Sequence, residues 1–176
     1  MTEVELPDLD AAVRVVEIIS SAEAAAYHRR YLRSRASEYH PELRSLLEEA
    51  KPVGSIDYVD AQRVRTLLAR ELNTRMGEAD ALLMPAVPVP AYMSEERTLA
   101  IEDREVAAFS ARVRFNALTN LTGQPAIVLP CGFSSGGLPI GLQLVGRHFD
   151  EATLLRIARA YERATDWHLR RPPLPR

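Results

Sequence analysis

The sequence is poor in lysine and cysteine. Both residue types commonly act in catalysis, and cysteine also cross-links small proteins through disulfides. The chain has one cysteine, Cys131, and one lysine, Lys51, among its 22 basic residues. A single cysteine excludes an intrachain disulfide and a cysteine cluster for metal. Arginine stays protonated in proteins and cannot act as a general base. Chemistry that depends on lysine must therefore use Lys51 or residues outside this chain.

The sequence also lacks an excess of either charge and any long apolar run. Its formal net charge of −2 gives no electrostatic reason to expect nucleic acid or an anionic membrane as a direct partner. No segment approaches the roughly 20 apolar residues that span a bilayer. The acidic N-terminus does not have the basic and then apolar layout of a secretion signal. We therefore expect a cytoplasmic protein, and its 176 residues suffice for one domain.

Helical periodicity dominates the first half of the chain. Asp8 or Asp10 suits a helix N-cap, and the S-x-x-E pattern of residues 20–23 predicts that a second helix begins there. Residues 41–50 predict a short helix with proline in its first turn. Residues 57–76 predict a longer helix. The apolar face of that helix is expected to consist of Val64, Leu67, Leu68, Leu72 and Met76.

The pattern changes in the second half. Residues 81–84 form a short apolar run that ends at proline and predicts a buried strand. Prolines keep the following stretch out of helix, so we expect a long loop over residues 85–104. Residues 105–121 predict a helix that stops at Gly123.

Two apolar segments and a terminal helix complete the pattern. Residues 126–129 are uniformly apolar, as in a strand covered on both faces, and residues 140–145 predict a second strand after a Gly-Gly turn. Asp150 can cap a final helix. The inward face of that helix is expected to consist of Ala152, Leu155, Ile157, Ala158 and Tyr161. The segments together predict an α/β fold, a mixed β-sheet flanked by helices, with no linker that divides residues 1–176.

Two nucleophile hypotheses can be written from the residues alone. Ser134 and Ser135 precede two glycines, but they lie between two apolar segments, where this composition is typical of a turn. Cys131 could form a Cys-His-Asp set with His148 and Asp150. Free cysteine is more often a small buried residue, and this pattern has little specificity. Neither hypothesis is favoured over its structural alternative.

The remaining polar residues predict no metal or cofactor site. The four histidines, His28, His40, His148 and His168, show neither i, i+4 pairing nor clustering with cysteine. Lys51 lies at the expected end of a helix, where an exposed cation complements the helix dipole. We therefore expect no catalytic residue, no metal and no cofactor within this chain. The proline-rich end could be a terminal strap or, less favoured, a polyproline ligand.

Four segments nevertheless form a specific series. They are residues 23–28 (EAAAYH), 80–91 (DALLMPAVPVPA), 115–133 (FNALTNLTGQPAIVLPCGF) and 137–146 (GLPIGLQLVG), the last followed by Phe-Asp-Glu. In order and spacing they resemble the C-terminal part of the amidase signature family. Members of that family use a Ser–cis-Ser–Lys triad from the N-terminal and central sequence, in which lysine acts through the bridging serine on the nucleophile. The resemblance therefore implies an amide hydrolase, with a small-molecule amide as substrate, whose catalytic part is absent here.

The resemblance also implies roles for three polar residues. Asn116, Asn120 and Gln143 lie in segments near the family's substrate cleft, so they are expected to bind substrate or brace the sheet, with bracing favoured for Gln143. The leading hypothesis is a C-terminal segment from a truncated or split gene. The sheet of the family continues into the missing part, so we expect an exposed edge and apolar face, and a homo-oligomer or pairing with an N-terminal amidase part.

Two rival hypotheses remain open from the sequence. The first is a non-catalytic binding or assembly module that pairs with a separate amidase chain. The second is a self-contained cysteine hydrolase built on Cys131.

Overall fold

The computed structural model describes residues 2–49, 52–101 and 103–171, so Lys51 and the proline-rich end from residue 172 lie outside the described residues. The helices are α1 (Leu9–Arg35), α2 (Pro41–Glu49), α3 (Ser55–Met76), α4 (Ala108–Thr122) and α5 (Glu151–Ala164). The strands are β1 (Ala81–Pro85), β2 (Thr98–Ile101), β3 (Arg104–Ala107), β4 (Ala126–Phe133) and β5 (Pro139–Gly146). Short 3-10 helices cover Ala36–Glu38 and Trp167–Leu169.

The main sheet has three strands in the order β1-β5-β4, and β2 and β3 form a separate hairpin. The strand pairs in the described part of the chain are antiparallel. In the main sheet, Gln143 of β5 lies opposite Met84 of β1 on one side and Val128 of β4 on the other. Helices lie on both faces of this sheet, so the predicted α/β fold class is confirmed.

The core has two main parts, one on each face of the sheet. The larger part joins α1, α3 and α4 to β1 and β5, with Leu72 and Leu118 fully buried at its centre. The smaller part packs α5 against β4 and β5 through Leu154 and Ala158. Each fully buried leucine contributes about 1.5–3 kcal/mol relative to an exposed one, so apolar packing on both faces fixes the sheet.

Helix α1 is longer than the sequence pattern predicted. The Asp8 carboxylate accepts a hydrogen bond from the Ala11 amide at 2.9 Å and caps the helix. The expected second start at residues 20–23 was wrong, because α1 continues through them to Arg35. The Ser20 hydroxyl donates to the carbonyl of Glu17 at 3.4 Å inside the helix instead of capping a new one. A capping-box pattern without a helix breaker before it does not end the preceding helix.

The expected long loop over residues 85–104 was also wrong in its second half. Strands β2 and β3 form a hairpin there, and α4 begins only at Ala108, three residues later than predicted. Leu99 of β2 is buried against Ala108 and Ala111, so the hairpin packs on the first turn of α4. Prolines exclude helix only near themselves, which leaves residues 98–107 free to pair.

Three expectations about inward faces also need correction. Leu67 on α3 and Leu155 on α5 are 61% and 60% exposed, and Ala152 is exposed as well. Leu154 takes the inward position on α5, because it reaches the sheet where Leu155 does not. Residues 126–129 are not covered on both faces, since Val128 is 54% exposed at the edge of the sheet.

The close approach of α5 to β5 depends on Gly146. A Cβ atom added at this residue would lie 2.9 Å from Cγ of Leu154, which is buried. At Gly132 in β4, an added Cβ would meet nothing within 4 Å. The two glycines therefore differ in what they permit, because only Gly146 allows a helix to lie directly on the strand.

We expect Gly146→Ala to lower the free energy of unfolding by about 1–3 kcal/mol, because the methyl group must displace the Leu154 side chain. Gly132→Ala is the matched control and should change it by less than about 0.5 kcal/mol. Urea denaturation followed by circular dichroism measures both values. Equal effects of the two substitutions would contradict the close packing of α5.

Candidate functional site

A cleft in the described residues has a volume of about 1220 Å³. Its walls are the first turns of α1, the proline segment of residues 85–92, the β2–β3 hairpin, the N-terminal half of α4 and the start of β5. The proline segment and the hairpin are held on α4 by the small cluster that includes Leu99, Val89 and Tyr92. The cleft is therefore built where several segments, distant in sequence, meet one helix.

Apolar side chains form much of the cleft surface. Val87 and Ile140 are 38% and 41% exposed and face it from the proline segment and from β5. Phe115 of α4 also lines it. At Gly141 an added Cβ would lie 3.1 Å from Cγ1 of Val128 and 3.3 Å from Cβ of Ala86. The absence of a side chain at Gly141 therefore lets these segments approach one another closely at this wall. Such a surface suits an organic ligand with an apolar body.

Charged groups gather at the α1 side of the cleft. Arg114 of α4 forms an ion pair with Asp10 of α1. The hydrogen bond from Arg114 lowers the pKa of the Asp10 carboxyl below its usual range, and the nearby guanidinium groups of Arg104 and Arg14 lower it further. The three arginines come from β3, α1 and α4, so a single carboxylate lies among guanidinium groups from three elements.

The charge of the cleft differs in sign from that of the whole chain. The described residues that line it include four arginines and two carboxylates, whereas the net charge of the chain is −2. The fourth arginine, Arg112, lies over the ring of Phe109, with its Cζ atom 5.6 Å from the ring centroid. Arg14 and Arg104 have no hydrogen-bonded acceptor among the described residues. The cleft therefore has a local excess of positive charge.

The three residues expected to bind substrate lie outside the lining of this cleft. Asn116 donates from Nδ2 to the carbonyl of Ala86 at 3.3 Å and ties α4 to the proline segment. Asn120 is exposed on α4. Gln143 is 2% exposed within the sheet, and its Nε2 has no hydrogen-bond partner in the described part of the chain. A substrate or bracing role for these residues stays a prediction.

The side chains invoked by the two nucleophile hypotheses make ordinary structural contacts. The Ser134 hydroxyl accepts a hydrogen bond from the amide of Leu138 at 3.1 Å and belongs to the β4–β5 turn. His148 bonds through Nε2 to the carbonyl of Thr122 at 2.9 Å. Asp150 caps α5 and accepts from the Thr153 hydroxyl at 2.8 Å. The contacts of these side chains are therefore with helix ends and turns.

Comparison with known proteins identifies the family of the chain. The sequence profile described as "Amidase" matches residues 1–155, which is most of the chain. The chain belongs to the amidase family. This confirms the resemblance that the four sequence segments indicated, and with it the relationship to amide hydrolases.

Proteins that are similar to this chain are considerably longer. An amidase from Pseudomonas putida is 42% identical over 175 residues, which cover 99% of this chain and 37% of that protein. A glutamyl-tRNA(Gln) amidotransferase subunit from Chloroflexus aggregans is 38% identical over 199 residues, covering 100% of this chain and 40% of that protein. A crystal structure of an amidase matches with a TM-score of 0.82 at 28% identity, over 92% of this chain and 37% of that one. The chain spans about two fifths of the length of these relatives.

Two further properties of this amidase-family chain concern ions and membranes. No group of three or more histidine, cysteine, aspartate or glutamate side chains that could hold a metal ion occurs within the described ranges. No helix in residues 2–49, 52–101 or 103–171 combines the length and apolar character of a bilayer span.

Sequence reasoning misses the charged residues of the cleft. From the sequence, arginine is considered only as a general base, a role that a permanently protonated side chain cannot fill. Arg14, Arg104 and Arg114 therefore receive no predicted role. The Arg112-Val113-Arg114 spacing is a weak signal, since it places two cations on one helix. The convergence of these arginines with Asp10 depends on contacts across 104 sequence positions, which no local pattern reveals.

The Asp10–Arg114 ion pair predicts a specific pH dependence of stability. Because the folded-state pKa of Asp10 is lowered, its contribution to stability is fully present above the unfolded-state pKa of about 3.9 and is lost as pH falls through the lower folded-state value. Asp10→Asn should therefore lose less of its free energy of unfolding than the wild type between about pH 4 and pH 2. Urea denaturation at each pH measures this, with Asp80→Asn at an exposed aspartate as control. Identical pH profiles for wild type and Asp10→Asn would contradict the ion pair.

Proposed function

We propose that this chain is the C-terminal part of an amide hydrolase of the Ser–cis-Ser–Lys type. It shapes the substrate cleft and the scaffold for a small-molecule amide. It is located in the cytoplasm and is inactive by itself. The observation that carries the proposal is coverage, because nearly all of this chain matches its relatives while it spans only about two fifths of their length. An N-terminal part supplies the triad.

The main sheet supports pairing with such an N-terminal part. Strands β1 and β4 each pair with β5 and have no second partner strand in the described residues. By register, Leu83 of β1 lies on the same sheet face as Leu144, yet it is 59% exposed because α5 packs on β4 and β5. An unpaired strand edge beside exposed leucine is a surface that another strand can extend.

The loop between β5 and α5 supports the same proposal. Phe149 has a φ angle of 63°, in the left-handed region, and its side chain is 94% exposed. A residue other than glycine in this region stores roughly 1–3 kcal/mol of strain. A strained backbone that presents an aromatic ring to solvent is consistent with a ring that packs against another polypeptide.

The unpaired edges also favour a second candidate function. The chain could act as a non-catalytic assembly module that pairs with a separate amidase chain without completing its active site. Both candidates predict association, but only the first predicts that association creates turnover. The two are therefore separated by activity rather than by binding.

We expect no amide hydrolysis from this chain alone and turnover when it is mixed with a complementary fragment. The fragment is the portion of the Pseudomonas putida amidase that lies outside the matched 37%. Ammonia release from benzamide measures activity. Leu83→Lys should lower the activity of the mixture at least tenfold at limiting concentration, because a cation must be buried at the sheet face.

The control for this experiment is Leu67→Lys, since Leu67 on α3 is equally exposed, at 61%, and lies away from the sheet edge. It should leave the activity of the mixture unchanged. Association without turnover would favour the assembly module. Turnover by this chain alone that survives Lys51→Ala would overturn the proposal.

In the absence of a complementary part, we expect the chain to associate with itself at micromolar concentration, because its strand edges and exposed Leu83 and Val128 remain available. Size-exclusion chromatography with light scattering measures the mass. The double variant Leu83→Lys/Val128→Lys should shift the population toward monomer, and Leu67→Lys should not. A wild-type monomer that binds no hydrophobic dye would count against an open docking surface.

A further inference from the structure

The positive cleft has a feature that the proposed function does not yet use. Two of its guanidinium groups, those of Arg14 and Arg104, have no hydrogen-bonded acceptor among the described residues, and both side chains are exposed. They come from α1 and β3, and both line the cleft that also contains the ion pair of Asp10 and Arg114. Asp10 carries one negative charge and is already paired with Arg114, so it does not balance the two further cations.

We infer that the cleft takes amides that carry a carboxylate group, with Arg14 and Arg104 binding that carboxylate and the apolar wall of Val87, Phe115 and Ile140 contacting the body of the molecule. This inference rests on the proposed function, since it names the substrate class for the same cleft. Guanidinium groups bind carboxylates through paired N–H donors, which gives both charge and orientation.

The arrangement of the cleft favours an organic carboxylate over a free inorganic anion. The charged side of the cleft continues into valine, isoleucine and phenylalanine surface, which gives no hydrogen bonds to a small hydrated ion. The Asp10–Arg114 pair holds Arg114 in place and leaves the adjacent Arg14 and Arg104 as the available donors. The ligand that satisfies both parts has one anionic end and one apolar end.

Glu17 limits the charge that the cleft accepts. It lines the cleft from α1, one turn after Arg14, and places a second carboxylate near the same site. This carboxylate repels a highly charged ligand more than a singly charged one. A monocarboxylate amide is therefore the ligand class that the described lining fits.

Calorimetric titration of the full 176-residue chain with two matched probes tests the inference. Hippurate is an amide with a carboxylate and an aromatic ring, and hippuramide is its neutral counterpart. Hippurate should bind at least about tenfold more tightly than hippuramide at low salt, because it gains charge-assisted hydrogen bonds. That advantage should shrink as ionic strength rises.

Substitutions assign the effect to named residues. Arg14→Gln and Arg104→Gln should each weaken hippurate binding about tenfold and leave hippuramide binding unchanged. Arg29→Gln, at an exposed arginine on the same helix as Arg14 but outside the cleft, should change neither. Circular dichroism verifies that each variant keeps the fold of the wild type.

Three outcomes would overturn the inference. They are equal binding of the two probes, no hippurate binding, and displacement of hippurate by inorganic phosphate at equal concentration. The result is independent of the mixing experiment, because every residue invoked belongs to this chain. Failed hippurate binding with an active mixture would remove the substrate class and leave the amidase proposal. Hippurate binding with an inactive mixture would leave a carboxylate-binding cleft and remove both the proposed function and the substrate role that rests on it.

Discussion

Strand β5 lies between two helical layers, with Val145 fully buried against α1, α3 and α4 and Leu144 packed against α5. Its backbone pairs with β1 on one side and β4 on the other, so both parts of the core meet on this strand. In this arrangement β1 and β4 each pair along only one edge, the edge that faces β5. The contact that holds the chain together therefore also leaves the outer edges of β1 and β4 without a partner strand in the described residues.

Helix α4 connects the core to the candidate site. Leu118 is fully buried in the larger part of the core, whereas Arg114 and Phe115, about one turn earlier, line the cleft. Asn116 bonds to the carbonyl of Ala86, which holds the proline segment against the same helix. Arg114 is thus positioned by a helix whose other face is fixed by packing. One wall of the cleft is therefore supported directly by the larger part of the core.

The sequence predicted helix ends well where a local bond sets them. Asp8 caps α1, Asp150 caps α5, and Gly123 ends α4 in the left-handed conformation with a φ angle of 76°. The predictions failed where competition between segments decides the outcome. Residues 98–107 pair as a hairpin because Leu99 finds an apolar surface on α4, and Leu67 is exposed because its neighbour Leu68 occupies the inward position.

The sequence by itself determined the family, the order of the segments and most element types, because these depend on residue identity and on interactions a few positions apart. It also indicated that Lys51 was the only lysine available, a property of composition alone. Only the tertiary structure decided which strands lie at the edges and which side chains share the cleft. Asp10 and Arg114 are 104 positions apart, and packing of α1 on α4 brings them together, so their pairing is a result of the fold and not of any local pattern.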